Sequence, residues 1–160
     1  MLVLNDFKTN VIRALSEIDP KWASYGGLVV CGTHSPHDVE SIIHDIKTTR
    51  FMGMPFLGIC AGHQLAAIEY ARNVLDIPRA TSEEFSSDGE FVVRKLPKLK
   101  VGLHDGESYW NNYEVVPEFE SIWKKADNFI TVQFHPEYQS SKDNPHPILK
   151  HFLEVCKNQK

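Results

Sequence analysis

The sequence predicts a mostly parallel, doubly wound open α/β sheet that carries a hairpin-rich insertion. Short apolar runs alternate with helical patterns three times between Met1 and Leu75, and this alternation is typical of a parallel sheet with helices on its faces. Residues 82–117 are instead rich in Ser, Asp, Gly and short β-prone runs, which predicts hairpins or an irregular insertion. A late apolar run over residues 129–134 precedes a final helical pattern and returns the chain to the sheet.

The predicted elements follow the chain in a regular order. They are strands over residues 1–5, 28–31, 56–60 and 129–134, and helices over residues 9–18, from about 35 to 46, from about 62 to 75, and after Asn144. Ser35 is expected to cap the second helix, because Pro36 and Asp38 follow at first-turn positions. We find no repeat and no linker, so residues 1–160 are expected to form one domain.

Composition excludes several classes of function. The chain has 160 residues, 42% of them hydrophobic, and a formal charge of −4 with acidic and basic residues interspersed. Neither a basic stripe nor a long apolar run is present, which argues against binding nucleic acid or a membrane. The three cysteines are unclustered and the N-terminus does not resemble a signal peptide. A cytoplasmic protein is therefore expected.

Cys60 is the first candidate nucleophile. It lies between Gly58 and Gly62, where an apolar run gives way to a helical pattern. Small flanking residues allow a sharp strand-to-helix turn with the thiol at its apex, and the N-terminus of a helix favours a thiolate. A buried structural cysteine at the end of a core strand is an equally good reading of this segment alone.

His135 and Glu137 strengthen the catalytic reading. They follow the late apolar strand, and residues just beyond the carboxyl ends of parallel strands share one crevice. A thiol beside an imidazole that is oriented by a carboxylate forms a complete nucleophilic set. Cys60, His135 and Glu137 are therefore the predicted catalytic residues.

The segments Gly58–Gln64 and Phe134–Tyr138 resemble the two signatures of class I glutamine amidotransferases, and more closely those of the glutaminase domain of CTP synthase. The resemblance extends to the helical segment Ala67–Leu75 and to the segment Ser82–Phe85. It implies a flavodoxin-like open sheet and no cofactor or metal. The enzyme it implies hydrolyses glutamine to glutamate and ammonia through a γ-glutamyl thioester, and a separate synthetase takes the ammonia.

The resemblance also implies roles for individual residues. Cys60 attacks the side-chain amide, His135 moves the proton and Glu137 orients His135. The backbone of Ala61, with Gly32 as a second donor, stabilises the oxyanion. Gln64 supports the substrate, and Glu84 holds its α-ammonium group.

Three departures separate this chain from the family pattern. Thr33 follows Gly32 where the family has a glycine-rich run, and a β-branched residue fits poorly if the turn needs positive φ. Asn112 stands where the family has the arginine that binds the substrate carboxylate, and an amide does not replace a guanidinium there. The N-terminal side is short, and no synthetase domain is present in the sequence.

Several readings remain open. Asn112 suggests an enzyme acting on a γ-glutamyl conjugate or another amide, whereas Thr33 and the short N-terminal side suggest a binding or regulatory module with little turnover. His34 is a candidate for the crevice, while a shared metal site for His37 and His44 is disfavoured by their spacing. Cys31 and Cys156 are expected to be packed thiols. Tyr109 and Trp110 are expected to form a cross-strand aromatic pair, with the lining of a pocket as the alternative.

Overall fold

A four-stranded parallel sheet lies at the centre of the computed structural model, which describes residues 1–159. The elements of the first half are, in chain order, β1 (Leu2–Leu4), α1 (Lys8–Ile18), β2 (Leu28–Val30), α2 (Val39–Phe51), β3 (Phe56–Ile59) and α3 (Ala61–Asn73). A short 3-10 helix at Trp22–Ser24 lies between α1 and β2. Strand and helix alternate as the sequence predicts.

The second half adds a small mixed sheet, the last central strand and the C-terminal helix. Its elements are β4 (Ala80–Ser82), β5 (Glu90–His104), β6 (Glu107–Val115), α4 (Pro117–Glu120), β7 (Phe129–Val132), a 3-10 helix at Pro136–Gln139, and α5 (Pro147–Lys157). Within residues 1–159, no helix combines the length and apolar character that crossing a membrane requires.

Helices cover both faces of the central sheet, whose strand order is β1-β2-β3-β7 with every pair parallel. Successive residues of a strand point to opposite faces. Leu28 and Phe56 accordingly pack in the cluster that includes α2 and α3. Val29 and Leu57 pack in the cluster that includes α1 and α5. This two-sided core confirms the doubly wound open sheet.

The insertion folds as a long hairpin on the edge of a second sheet, ordered β4-β5-β6. Strands β5 and β6 are antiparallel and turn at Asp105 and Gly106, which both have positive φ (53° and 82°). Two central residues with positive φ characterise the type I′ turn, whose twist matches that of the flanking strands. Hairpins are therefore confirmed for this segment.

The predicted start of the second helix is wrong. Helix α2 begins at Val39, and its N-cap residue Asp38 has a left-handed backbone (φ 53°) with no side-chain capping bond. The backbone N–H of Ser35 donates to Thr33 Oγ1, 3.2 Å away. Residues 33–38 thus form a separate polar loop, and the left-handed geometry of Asp38 keeps Ser35 out of the helix.

The carboxyl ends of β3 and β7 meet at one edge of the sheet. The two strands pair in register up to Ile59 and Val132, and the N–H of Cys60 continues the ladder by donating to the carbonyl of Val132 at 2.9 Å. The segments that follow the two strands, one starting at Cys60 and the other leading to His135, therefore leave the sheet side by side.

Candidate active site

Cys60 occupies a strained turn between β3 and α3. Its backbone has φ 56° and ψ −104°, a region that L-residues rarely adopt. The turn is tight because the helix presses on the strands. A Cβ on Gly62 would lie 2.0 Å from the carbonyl oxygen of Val30, and one on Gly58 would lie 2.9 Å from the backbone of Gly62. Both glycines are thus required by close backbone approach, and they force the thiol to the apex.

The thiol of Cys60 lies close to two polar groups. Its Sγ is 3.8 Å from the carbonyl oxygen of Trp110 on β6 and 3.6 Å from Nε2 of Gln133, which donates to it. Cys60 is 8% exposed, so the sulfur is reached only through the adjoining cleft. The hairpin therefore forms one wall around Cys60, and Asn112, which the sequence analysis placed near the substrate, lies on the same hairpin.

His135 and Glu137 form a fully buried pair. Nδ1 of His135 lies 2.8 Å from Oε2 of Glu137, and the His135 ring stacks on Tyr138 with its centroid 4.6 Å away. The backbone N–H of His135 donates to the carbonyl of Ser108 at 2.7 Å. Because the carboxylate holds Nδ1, the other ring nitrogen, which has no hydrogen-bond partner among the described residues, is the one left for chemistry.

Gly32 lies between Cys60 and the imidazole of His135. A Cβ at Gly32 would be 3.6 Å from Cβ of Cys60 and 3.1 Å from Cε1 of His135. The two side chains therefore flank one small residue. Burial opposes a charge on His135, but its interactions with Cys60 and Glu137 outweigh burial and raise the pKa of His135 to about 9. The imidazole of His135 therefore holds a proton more tightly than a free histidine side chain does.

Thr33 does not need an unusual backbone. It is absent from the residues of positive φ among those described, so the steric objection to a β-branched residue does not apply. Its hydroxyl donates to the carboxylate of Asp6 at 2.7 Å. That bond, which lowers the pKa of Asp6, ties the loop after β2 to the loop after β1.

A cleft opens beside Cys60, and it brings together most of the other predicted site residues. Ala61, Gln64, Glu84 and Asn112 all line it. Nε2 of Gln64 donates to the carbonyl of Tyr113 at 2.9 Å and to Oε1 of Gln133 at 3.3 Å. Burial raises the pKa of Glu84, which is half-buried, and Asn112 is exposed at the mouth.

An aromatic cluster completes the cleft. His34 was a candidate for the cleft from the sequence, but Phe7 was missed. Phe7, His34 and Trp110 line it together, with the Trp110 ring centroid 4.6 Å from that of His34 and 5.7 Å from that of Phe7. The predicted pairing of Tyr109 with Trp110 is wrong, because neighbours along a strand face opposite sides. The Tyr109 ring instead lies beneath the ammonium of Lys100, 3.9 Å away. That alternation was the available signal that only one of the two aromatic residues could reach the cleft.

The remaining cysteines and histidines take no part in this arrangement. Cys31 and Cys156 are buried in the core cluster under α1 and α5, as the sequence predicts. Burial raises the pKa of both thiols, that of Cys156 to about 12. Among residues 1–159, no three His, Cys, Asp or Glu side chains gather closely enough to hold a metal ion.

Comparison with known proteins gives one family. A family model described as "Glutamine amidotransferase class-I" matches residues 1–155. The chain is 28% identical to the CTP synthase of Pelagibacter ubique over 220 aligned positions, covering 98% of this chain and 41% of that protein. It is 31% identical to the CTP synthase of Encephalitozoon cuniculi over 77% of this chain and 32% of that protein. The chain thus spans well under half the length of these relatives.

A solved structure matches the fold over nearly the whole chain. It is the glutaminase domain of the Trypanosoma brucei CTPS with bound acivicin, which superposes with a TM-score of 0.77 at 19% identity. The match covers 99% of this chain and 93% of that one. At 19% identity, this likeness establishes the fold alone.

Proposed function

Because the chain belongs to the glutamine amidotransferase class-I family, we propose that it hydrolyses the side-chain amide of a glutamine-type substrate, with Cys60 as the nucleophile. The observation that carries the proposal is the juxtaposition of a strained, cleft-facing Cys60 with the buried His135–Glu137 pair across Gly32. Perturbed titration and geometry of this kind are typical of catalytic groups.

The reaction begins with transfer of the thiol proton to the free nitrogen of His135. The thiolate attacks the amide carbon, and the tetrahedral intermediate collapses when His135 returns the proton to the departing ammonia. Water, activated by the same imidazole, then attacks the thioester and regenerates the thiol. Glu137 holds the ring through Nδ1, so the other nitrogen faces the reaction throughout.

The oxyanion that forms in each half-reaction needs donors. We assign the backbone N–H of Ala61, in the first turn of α3, as one donor and that of Gly32 as the other. A helix N-terminus carries free N–H groups and a favourable dipole. Each donor of this type is worth about 3–4 kcal/mol of barrier.

The remaining cleft residues hold the substrate in this proposal. Glu84 receives the α-ammonium group, and Gln64, fixed by Tyr113 and Gln133, supports the amide end. Asn112 contacts the group attached to the α-carbon on the other side. The ammonia is used by a synthetase activity, which the CTP synthase relatives suggest and which this chain needs as a separate partner or an additional domain.

Active-site labelling combined with turnover tests the proposal. The wild-type protein is expected to lose activity when a glutamine-analogue electrophile modifies Cys60, and the variant Cys60→Ala is expected to release no glutamate from any amide. Cys156→Ala, which changes a core thiol remote from the cleft, is the matched control and keeps its activity. Equal labelling of Cys60 and Cys156 would overturn the proposal and favour a binding module.

A further inference from the structure

We propose that the substrate is the N-terminal glutaminyl residue of a peptide, with a free α-amine, an α-carboxyl group already in amide linkage, and apolar residues following. This inference rests on the proposed function, because the same Cys60 attacks the side-chain amide. It specifies which glutamine-type molecule the cleft accepts.

The charge of the cleft is the first argument. Its twelve lining residues include one carboxylate, Glu84, and neither Lys nor Arg. The carboxylate of Glu84 makes no hydrogen bond or ion pair with any described residue, although the side chain is half-buried. Such a cleft favours an ammonium group. The carboxylate of free glutamine would lose water there without gaining a counter-charge, which is costly.

The amide at the mouth of the cleft points the same way. Asn112 at the mouth carries a neutral amide, which suits a peptide carbonyl better than a carboxylate.

An apolar strip leads out of the cleft along the hairpin. Leu99 lines the cleft and is 40% exposed. Val101 pairs with Trp110, and Leu103 pairs with Ser108. Cross-strand partners share a face, so Val101 and Leu103 lie on the Trp110 face, 58% and 66% exposed.

Beyond Lys95, whose N–H donates to Oε1 of Glu83 at 3.1 Å, β5 pairs only with β6 among the described residues, so its outer edge is free there. A free strand edge beside an apolar strip is a common seat for an extended peptide. The occupant we assign to the strip is the part of the substrate peptide that follows its glutamine, because the strip is continuous with the cleft at Leu99 and Trp110.

The reaction balances without any further reagent. The bond between the side-chain carbonyl carbon and nitrogen breaks, a carbon–sulfur bond to Cys60 forms, and ammonia leaves with the proton carried by His135. Water then cleaves the thioester. The peptide ends with N-terminal glutamate in place of glutamine, and one water is consumed for each ammonia released.

Substrate comparison tests the inference. We expect kcat/KM for glutaminamide and for the peptide Gln-Leu-Leu to exceed that for free glutamine by roughly tenfold or more, the value of one uncompensated charged group. Acetylation of the α-amine of these two substrates is expected to abolish their higher kcat/KM relative to free glutamine. Gln-Ser-Ser is expected to react more slowly than Gln-Leu-Leu. Mass spectrometry must identify N-terminal glutamate, since spontaneous cyclisation also releases ammonia.

Variants test recognition of the α-carboxyl side and of the α-amine separately. Asn112→Arg is expected to move the preference toward free glutamine, and Glu84→Gln is expected to raise KM for every substrate with a free amine. Glu83→Gln is the matched control, because Glu83 is exposed and accepts the N–H of Lys95 outside the cleft. Val101→Ser with Leu103→Ser is expected to remove only the difference between Gln-Leu-Leu and Gln-Ser-Ser.

The outcomes distinguish this inference from the proposed function. If free glutamine reacts as fast as glutaminamide through Cys60, the inference is wrong while the amidase proposal stands. If Cys60 is labelled but neither glutaminamide nor Gln-Leu-Leu is hydrolysed, the inference alone is also wrong. If Cys60 is neither labelled nor required for any turnover, both fail together.

Discussion

Arg13 donates a hydrogen bond from Nη2 to the carbonyl oxygen of Glu137, 2.9 Å away. A second bond, from Nη1, reaches the carbonyl of Ser140 at 3.2 Å. The guanidinium on α1 thus holds both ends of the 3-10 turn that carries the buried carboxylate. Glu137 is thereby placed by a residue that lies 124 positions earlier in the chain.

Arg13 is therefore expected to act as a positioning residue. Arg13→Ala should lower kcat by about tenfold with little change in KM, because a loosened turn misorients His135 without touching the substrate. Steady-state kinetics with unfolding measurements check this result. Arg13→Lys should recover part of kcat, whereas Arg79→Ala, which removes an exposed pair with Asp88, should have no effect. A change in KM alone would contradict the positioning role.

Glu137→Gln should lower kcat by roughly 10²–10⁴-fold, because a neutral amide no longer fixes the imidazole tautomer. The same change should lower the pKa of His135, since Glu137 is one of the two groups that raise it. NMR titration of the His135 ring checks the second effect. An unchanged titration with reduced kcat would show that Glu137 acts only sterically.

Stability should depend on pH through His135. Its folded pKa of about 9 lies above the ordinary value of 6.5, so its contribution is fully present below about pH 6.5. The contribution is lost as the pH rises through about 9. Urea unfolding at pH 6, 7.5 and 9.5 measures this loss. In Glu137→Gln the loss should be smaller and should be complete at a lower pH, because the substitution lowers the folded pKa alone. The same size of loss over the same pH range in the two proteins would refute the assignment.

The backbone strain at Cys60 predicts a gain in stability when glycine replaces it. Cys60→Gly should be more stable than Cys60→Ala by about 1–2 kcal/mol, because glycine adopts φ 56° without steric cost. Both variants lack the thiol, so the difference isolates the backbone. Equal free energies of unfolding would indicate that the turn is not strained.

Gly62→Ala should destabilise the protein by about 3 kcal/mol or more, because its Cβ would meet the backbone carbonyl of Val30 rather than a movable side chain. Gly26→Ala is the control, since its Cβ would make an ordinary 3.5 Å contact with Met54. Chemical denaturation of the two variants checks the contrast. A mild effect at Gly62 would mean that α3 can move away from β2.

The sequence around Cys60 was enough to predict β3, the turn and α3. The spacing of apolar residues and of the two glycines determines local structure within a few residues. The proximity of Cys60 and His135 was also predictable, because the carboxyl ends of parallel strands lie at the same edge of the sheet. Trp110 could not be placed in this way, since its position depends on hairpin register, and that register shifts between Lys95 and Lys100. The contact of Arg13 with Glu137 depends on how a helix docks against a distant turn, and neither segment encodes that locally.

The carbonyl of Ser108, which accepts the N–H of His135 at 2.7 Å, makes the hairpin and the imidazole one cooperative unit. The amide hydrogen of His135 can exchange with solvent deuterium only when β6 moves away from it. Deuterium uptake at this single amide therefore reports the opening of the hairpin. A peptide that spans the cleft and the strip would slow that uptake and leave the exchange of β1 unchanged.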